Sequence, residues 1–478
     1  MKRTEATTDV DRRGWRTLAI SSLAVLAIFL DTTVLFVAFP DIVRSFADVS
    51  PASLSWVLNA YTITFAAFLI PAGKIADRVG HKRAFLTGSA VFTLASLLCA
   101  VAPSVGALVA FRILQALGAA TLLPSSLALV LRAFPRERIP VAVGVWGSTG
   151  ALAAAIGPTL GAALVEASGW RLVFLINLPV GLLTVGSGLY LLEESKDATS
   201  RIPALAGVIL IAAAAALISL GIVQADEWGW TDARTLGSLL AGAALLAIFI
   251  VHQRSTGAPA LDFDLFESAN YRWANLATTV FSLAFTAMFF GSVLFLTDVW
   301  RWSILDAGLG ISPGPLLVAV LAPVFGRLAA RIGQQPLLLA GGVLFAAGGL
   351  WRLLMLGGES HYATDYLPSM LFTGIGVALT LPQLSSVVGQ SLPANRLGVG
   401  GAVNQAVRQF GGTLGVALVI ALLGQPSSLA QALDRFELVW WLMIAGGLLS
   451  SLLALPLRTT PIAVTSPRVA LDLEQAAS

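Results

Sequence analysis

Residues 73–80 read GKIADRVG, and residues 326–333 read GRLAARIG. Each segment joins one apolar run to the next through a short basic turn, and the two segments lie 253 positions apart. Two further pairs repeat in the same order at similar offsets: 157–164 (GPTLGAAL) with 411–418 (GGTLGVAL), and a weaker match of 117–124 (LGAATLLP) with 375–382 (IGVALTLP). Three ordered matches indicate a direct duplication of a unit of about six apolar runs.

The composition of the chain is that of a membrane protein. Of 478 residues, 57% are hydrophobic and only 12% are Lys, Arg, Asp or Glu, against about 25% charged residues in an ordinary soluble domain. So few charges could not cover a water-facing surface, which excludes a soluble enzyme, a disordered protein and a nucleic-acid-binding protein. The net charge of +3 is too small to indicate nucleic acid as a partner.

Fourteen apolar segments are long enough to cross a membrane, because one helical span needs about 20 apolar residues. They are apolar on all sides, whereas the strands of a membrane barrel alternate, so the sequence predicts helices. The predicted spans are 16–39, 54–75, 84–104, 106–128, 141–164, 172–192, 204–222, 235–253, 273–296, 307–329, 335–356, 366–388, 400–424 and 437–457.

The basic residues predict the orientation of these spans. Of 29 Lys and Arg residues, 21 fall in alternate connections beginning with the N-terminus, and five fall in the others. Cytoplasmic loops carry the excess of basic residues in membrane proteins, so both termini are predicted to be cytoplasmic.

The duplication divides the chain into six, two and six spans. Residues 16–192 and 273–457 are predicted as two pseudo-symmetric six-helix bundles, related by an axis along the membrane normal. Residues 193–272 hold two additional helices between cytoplasmic linkers. Residues 1–15 and 458–478 are predicted as a cytoplasmic N-terminus and a cytoplasmic tail. The fold class is an all-α integral membrane protein.

Two charges inside predicted spans are candidates for chemistry, because a buried ionisable group in a membrane is costly. Asp31 lies in IFLDTTVLF and Arg112 in VAFRILQAL. Counted along their helices, Asp31 lies about 8 Å and Arg112 about 9 Å from the outer face of the membrane core. We therefore expect an ion pair, either one that carries protons or a static one that only fixes the packing.

Three further groups of residues stand out. The basic turn after the second span contains Gly73, Asp77, Arg78, Gly80 and Arg83. A network of charges at this position suits a contact that breaks and re-forms during a conformational change. Gly157, Pro158 and Gly161 allow close packing or a kink in the fifth span. Polar or aromatic candidates for an apolar substrate cavity are Trp56, Asn59, Tyr61, Gln115, Asn404, Gln405, Arg408, Gln409 and Asp298.

These motifs resemble those of the major facilitator superfamily, specifically the fourteen-span drug:proton antiporter branch of the EmrB/QacA type. GKIADRVGHKR (73–83) resembles its inner-gate motif A, LVAFRILQALGAA (108–120) motif B, and GPTLGA (157–162) the antiporter motif C. LDTTVLFVAFP (30–40) resembles the first-helix motif of the branch. The resemblance implies that Asp31 is protonated during transport and that Arg112 assists the proton transfer.

The chain departs from the pattern of this branch at four positions. Phe36 stands where Asn is common, Ala116 and Ala162 stand where Gly is common, and Asp298 stands where Gln is common. The residues at positions 36, 116 and 162 are expected to make the cavity or the helix packing atypical for this branch. Asp298 adds an acid that could receive a cation, but a solvated helix end is the favoured explanation.

The resemblance implies a major facilitator fold and a proton-coupled secondary exporter of hydrophobic or cationic organic compounds such as drugs, dyes or antibiotics. An uptake symporter or facilitator on the same fold, or a membrane sensor, are the alternatives. No phosphate-binding loop of the G-x-x-x-x-G-K-[ST] type occurs in the sequence. We expect a monomeric multi-pass protein of the cell membrane that is not an enzyme and is driven by a proton gradient without cofactor or metal.

Overall fold

The structure of the protein, a computed structural model, describes residues 2–135, 138–196, 204–256, 259, 261, 263–392 and 396–459. Among these residues, fourteen helices are long and apolar enough to cross a membrane, which confirms the predicted number. Most of the predicted tail (458–478) and parts of both linkers, including 197–203, lie outside the described residues.

The spans of the first half are α1 Lys2–Ser45, α2 Trp56–Val79, α3 His81–Ala100, α4 Val105–Ala133, α5 Ile139–Ser168 and α6 Asn177–Leu191. The two additional spans are α7 Leu205–Val223 and α8 Ala233–Ser255. The second half contains α9 Ala269–Leu294, α10 Pro313–Ile332, α11 Gln335–Met355, α12 Leu367–Gln390, α13 Leu397–Leu423 and α14 Leu429–Ala454.

Short helical segments extend several spans. Pro51–Leu54 precedes α2, Arg171–Leu175 precedes α6, and Ile304–Ile311 precedes α10. Pro179 and Pro315 contribute to the breaks between these short segments and α6 and α10, because a proline has no N–H to donate to the carbonyl oxygen four residues earlier. The first helix begins at Lys2 rather than near residue 16, so the N-terminal segment continues the helix of the first span.

The two halves pack their helices in the same pattern. In the first half α1 packs on α5 and α6, α4 on α2 and α3, and α3 on α6; the second half repeats each of these contacts eight helices later. Glycines mark equivalent crossings, because Gly88 meets Gly118 between α3 and α4, and Gly341 meets Gly376 between α11 and α12. The shared packing supports the duplication seen in the sequence.

The halves meet along two seams that the duplication relates to each other. In one seam α2 packs against α13, and in the other α5 packs against α10 and the short helix before it. The pair α7 and α8 lies beside the first seam, where α7 contacts both α2 and α13. This arrangement is consistent with the predicted division into six, two and six helices.

Candidate functional site

A buried ion pair joins the first and fourth helices. Nη1 of Arg112 on α4 donates to Oδ2 of Asp31 on α1, and neither side chain is more than 1% exposed. Removing either partner from such a pair would leave an uncompensated charge in a low-dielectric interior. The structure therefore brings together the two charges that the sequence singled out.

Amide groups complete the surroundings of the carboxylate. Gln115 Nε2 donates to Asp31 Oδ1 over 2.8 Å, and Asn177 Nδ2 donates to the same oxygen over 3.0 Å. Both amides also contact the hydroxyl of Ser96. Asn177 reaches the carboxylate as the first residue of α6, after the interruption of that span. The sequence predicted Gln115 only as a cavity residue, and neither Asn177 nor Ser96 was predicted as a partner of Asp31.

Arg112 also connects the ion pair to α2. Its Nε donates to the carbonyl oxygen of Val57 over 3.1 Å, and its guanidinium carbon lies 4.0 Å from the centre of the Tyr61 ring. A guanidinium over an aromatic face gains electrostatic stabilisation from the ring. The Arg112 side chain lines the central cavity, whereas Asp31 lies behind it.

A central cavity of about 930 Å³ lies between the two halves. Its wall is largely apolar and includes six aromatic side chains: Phe29, Phe36, Phe65, Trp146, Phe285 and Phe289. A cavity of this size and character is typical of binding sites for organic molecules. Ligand sites of about 300–1,000 Å³ accept drug-sized compounds.

The structure places the predicted cavity residues in three groups. Asn404, Gln405, Arg408 and Gln409 of α13 line the cavity. Asn59, Tyr61 and Gln115 are buried beside the ion pair or the core, and Trp56 is half-buried; none of the four lines the cavity. Asp298 does not line the cavity; it is exposed after the end of α9, as a solvated helix end would be, and accepts a hydrogen bond from Thr297.

We call the end of the bundle at which α2 joins α3 the basic end, and the opposite end the far end. The cavity reaches the basic end, where Lys74, Asp77 and His81 line it. Asp77 contacts Nε2 of His81 over 2.9 Å, while Nδ1 of His81 contacts the carbonyl oxygen of Ser195 over 2.7 Å. The motif A turn is thus tied to the segment that follows α6.

Glu194 from that segment covers the start of α3. Its two carboxylate oxygens accept hydrogen bonds from the backbone N–H groups of Lys82 and Arg83. A carboxylate at a helix N-terminus satisfies donors that have no partner inside the helix. Gly80, with φ +120°, makes the turn, and a Cβ there would collide with this carboxylate. Arg78 is exposed, and Gly73 approaches Pro124 of α4.

The glycines of motif C bring α5 close to α1. A Cβ added at Gly157 would overlap the side chain of Thr33, and one added at Gly161 would lie 2.8 Å from Val34 Cγ1. On another face of α5, the carbonyl of Pro158 approaches Gly308, in the short helix before α10. Motif C therefore connects α1 to the seam between the halves.

The far end of the cavity is closed by contacts between the halves. The ring of Phe36 on α1 lies 5.9 Å from that of Phe289 and 5.7 Å from that of Phe290, both on α9. Thr159 and Ser312 share a hydrogen bond of 2.6 Å across the α5–α10 seam. The structure therefore shows one state of the cavity, with a path to the basic end and a closed far end.

The family model described as Major Facilitator Superfamily matches residues 21–416 and 274–474. The chain belongs to the major facilitator superfamily. The matched regions cover almost all of the fourteen helices and both halves of the repeat.

Two curated relatives illustrate the branch of the superfamily that the chain resembles. It is 34% identical to the multidrug resistance protein Stp of Mycobacterium tuberculosis (strain CDC 1551 / Oshkosh), over 87% of this chain and 76% of that protein. It is 32% identical to the cephamycin export protein CmcT of Amycolatopsis lactamdurans, over 93% of each chain. These similarities fit the predicted fourteen-span drug:proton antiporter branch.

A solved structure shows the same fold at low sequence identity. A POT family transporter, solved in complex with 5-aminolevulinic acid, superposes with a TM-score of 0.67 at 15% identity, over 93% of this chain and 96% of the other. At this identity the comparison supports the major facilitator fold alone.

A second buried arginine lies in the other half of this major facilitator fold. Arg352 of α11 is fully buried and donates to the hydroxyls of Ser369 and Ser292 over 3.0 and 2.7 Å. Its guanidinium carbon lies 5.0 Å from the ring of Tyr366 and 4.8 Å from that of Trp440. The sequence predicted no role for Arg352. The signal that could have identified it is the same as for Arg112.

Proposed function

We propose that this protein is a proton-coupled exporter of largely apolar organic compounds that works by alternating access. The observation that carries the proposal is the Asp31–Arg112 ion pair at the wall of the central cavity. It places a titratable carboxylate beside the space that a substrate would occupy. The relatives named above are resistance and export proteins, which supports export over uptake.

In this proposal a proton and Arg112 compete for Asp31. A proton that enters from the outside neutralises the carboxylate, and the ion pair that ties α1 to α4 is lost. The change reaches the seam because α1 packs on the glycines of α5, and α5 contacts the helices of the other half. This protonation takes place once the substrate-loaded protein has opened its far end: it releases the substrate outward and lets the far end close, and Arg112 then displaces the proton toward the basic end.

We further propose that the basic end faces the cytoplasm of a cell membrane, with both termini on that side. The basic turns at this end support the orientation. The observed state would then be open to the cytoplasm and ready to load a substrate. In this proposal the protein acts as a monomer whose partners are protons, the substrate and lipid, and the turn containing Asp77 would form the inner gate during closure.

The experiment that tests the proposal measures uphill transport by purified protein in proteoliposomes with an imposed pH gradient. The probes are three dyes with one aromatic body: diethylaminocoumarin as its carboxylate, its carboxamide and its aminoethyl amide. We expect at least one probe to accumulate against its gradient. We expect Asp31→Asn to abolish this accumulation because the variant has no carboxylate to protonate, and Asp48→Asn, in an exposed loop, to preserve it.

Two outcomes would contradict the proposal. If the wild-type protein accumulates none of the three probes, export of such compounds is not its function. If Asp31→Asn accumulates a probe as well as the wild-type protein does, the proton does not pass through Asp31. Reversal of the direction relative to the proton gradient would instead indicate a symporter.

A further inference from the structure

Arg408 of α13 brings a charge into the wall of the cavity without a counter-charge. Across the part of the chain that the structure describes, no acceptor and no carboxylate lies within hydrogen-bond or ion-pair distance of its guanidinium. An unpaired guanidinium in the interior of a membrane protein is costly and marks a position where a partner is expected. Arginine is the side chain best suited to bind a carboxylate in a two-pronged geometry.

Gln405 presents a second donor on the same face of α13. It lies three residues before Arg408, a spacing that places two side chains side by side on a helix. Gln405 lines the cavity, and its Nε2 atom is buried without a partner among the described residues. Two neighbouring residues of the cavity wall therefore carry donors without acceptors, and a group with several acceptor oxygens bound between them would satisfy both.

The other charges at the cavity already have partners or lie at its mouth. Arg112 is held by Asp31. Lys74 donates to the carbonyl oxygen of Pro259, and Asp77 contacts His81, both at the basic end. Within the described residues, Asp77 is the only acidic side chain that lines the cavity. The deep part of the wall is consequently positive.

We infer that the cavity binds organic anions, and that Arg408 and Gln405 hold the anionic group while the aromatic wall covers an apolar body. This inference rests on the proposed transport function and specifies its substrate class. A carboxylate or another oxyanion supplies the acceptors that both donors lack. Binding then replaces the lost hydration of the guanidinium by charge-assisted hydrogen bonds.

The alternative partner for Arg408 is an acid of the protein itself in another state of the cycle. Asp31 is already engaged by Arg112 and two amides. Asp77 lies at the basic end of α2, whereas Arg408 lies about 16 Å along α13 from the first residue of that helix. Closing the basic end brings helices together sideways, and it does not remove a separation of this size along the helix axes.

The test is direct binding of the three diethylaminocoumarin probes to purified protein, followed by their fluorescence. We expect the wild-type protein to bind the carboxylate about tenfold or more tightly than the neutral carboxamide, because hydrogen bonds to charged groups exceed neutral ones by this order. The aminoethyl amide carries a positive charge and is expected to bind most weakly.

Variants assign this preference to the site. Arg408→Gln is expected to lower the affinity for the carboxylate to that for the carboxamide, with carboxamide binding unchanged. Arg408→Lys keeps the charge and is expected to retain part of the preference, and Gln405→Leu to reduce it. Arg327→Gln is the matched control, because Arg327 is exposed on α10 and does not line the cavity.

Three results would overturn the inference: equal binding of all probes by the wild-type protein, tightest binding of the cationic probe, or an unchanged preference in Arg408→Gln. If Arg408→Gln does not fold, the inference is tested by whether the wild-type protein prefers the carboxylate and whether Arg408→Lys retains part of that preference. The proposed function fails separately, when no probe is accumulated in proteoliposomes. Uphill transport of the carboxamide without any preference for the carboxylate would leave that function standing and remove the inference.

Discussion

At the scale of single residues, the carboxylate of Asp31 shows how a charge is held inside an apolar bundle. One oxygen faces Arg112, and the other accepts from Gln115 and Asn177. Arg112 and Gln115 belong to α4 and Asn177 belongs to α6, so the carboxylate of Asp31 on α1 connects three helices. A buried charge that is fully hydrogen-bonded is tolerated, whereas one missing donor leaves a large penalty.

The contribution of Asn177 can be measured by substitution. We expect Asn177→Ala to lower the free energy of unfolding by about 1–3 kcal/mol, because a buried acceptor loses one of its donors. Denaturation of the purified variant in detergent measures this loss. Asn270→Ala is the control: its side chain bonds the backbone of Arg458 in an exposed position, so we expect a smaller effect. Equal stability of both variants would show that Asn177 does not support the carboxylate.

The sequence predicted the charged pair but not its polar partners, for a physical reason. A charge inside an apolar run is expensive wherever it points, so Asp31 and Arg112 stood out and the depth estimates brought them together. An amide or hydroxyl in the same run has a small cost and can face either the core or a neighbouring backbone carbonyl. The direction of Asn177 or Ser96 follows from helix rotation, which the sequence does not encode locally.

At the scale of helices, small residues determine how closely neighbouring spans approach. The crossing of α1 and α5 uses Gly157 and Gly161, and the equivalent crossing of α9 and α13 uses Gly411 and Gly415. In the second half, backbone carbonyls of α9 approach these glycines directly. Without a hydrophobic driving force between helices in lipid, such close van der Waals packing stabilises the contact.

A pair of identical substitutions on α5 tests this role. We expect Gly161→Ala to lower the free energy of unfolding by about 1–3 kcal/mol, since the new methyl group would crowd Val34 and overpacking carries this cost. Gly144→Ala adds the same methyl group to the same helix where nothing lies within 4 Å. We expect it to be neutral or stabilising by up to about 1 kcal/mol. Similar effects of both changes on denaturation in detergent would contradict the role of close packing.

Helix number was predictable from the sequence, whereas helix ends were not. Fourteen apolar runs and a biased distribution of basic residues gave the correct number of spans. The extension of α1 back to Lys2 was not predicted, because a polar and charged segment carries no membrane signal and its helicity depends on the helix that it continues. Likewise, Glu194 reads as a polar linker residue, and its role at the start of α3 follows only from the folded path.

At the scale of the whole molecule, the duplication determines which helices of the two halves meet around the cavity. The seams α2–α13 and α5–α10 are equivalent under the repeat, so each half contributes the same two helices to the interface. Polar bonds cross both seams, between Thr62 and Thr413 and between Thr159 and Ser312. Which residues line the cavity depends on how the halves are tilted, and this explains why sequence reasoning identified the α13 residues but also included Asp298.

A disulfide across the α5–α10 seam tests whether the far end must open during transport. The hydroxyl oxygens of Thr159 and Ser312 lie 2.6 Å apart, and two side chains that approach this closely suit replacement by a disulfide of about 2 Å. We expect oxidised Thr159→Cys/Ser312→Cys protein to lose uphill accumulation of the coumarin probes and to regain it after reduction.

The controls for this experiment are the two single cysteine variants, which cannot form the bond. Cys99 is free and buried, so it is not expected to interfere. Binding of the probes from the basic end should survive oxidation, because the cavity remains accessible there while the far end stays closed. If the cross-linked protein accumulates a probe at the wild-type rate, the α5–α10 seam does not separate, and the substrate must leave by a path that alternating tilts of the two halves do not provide.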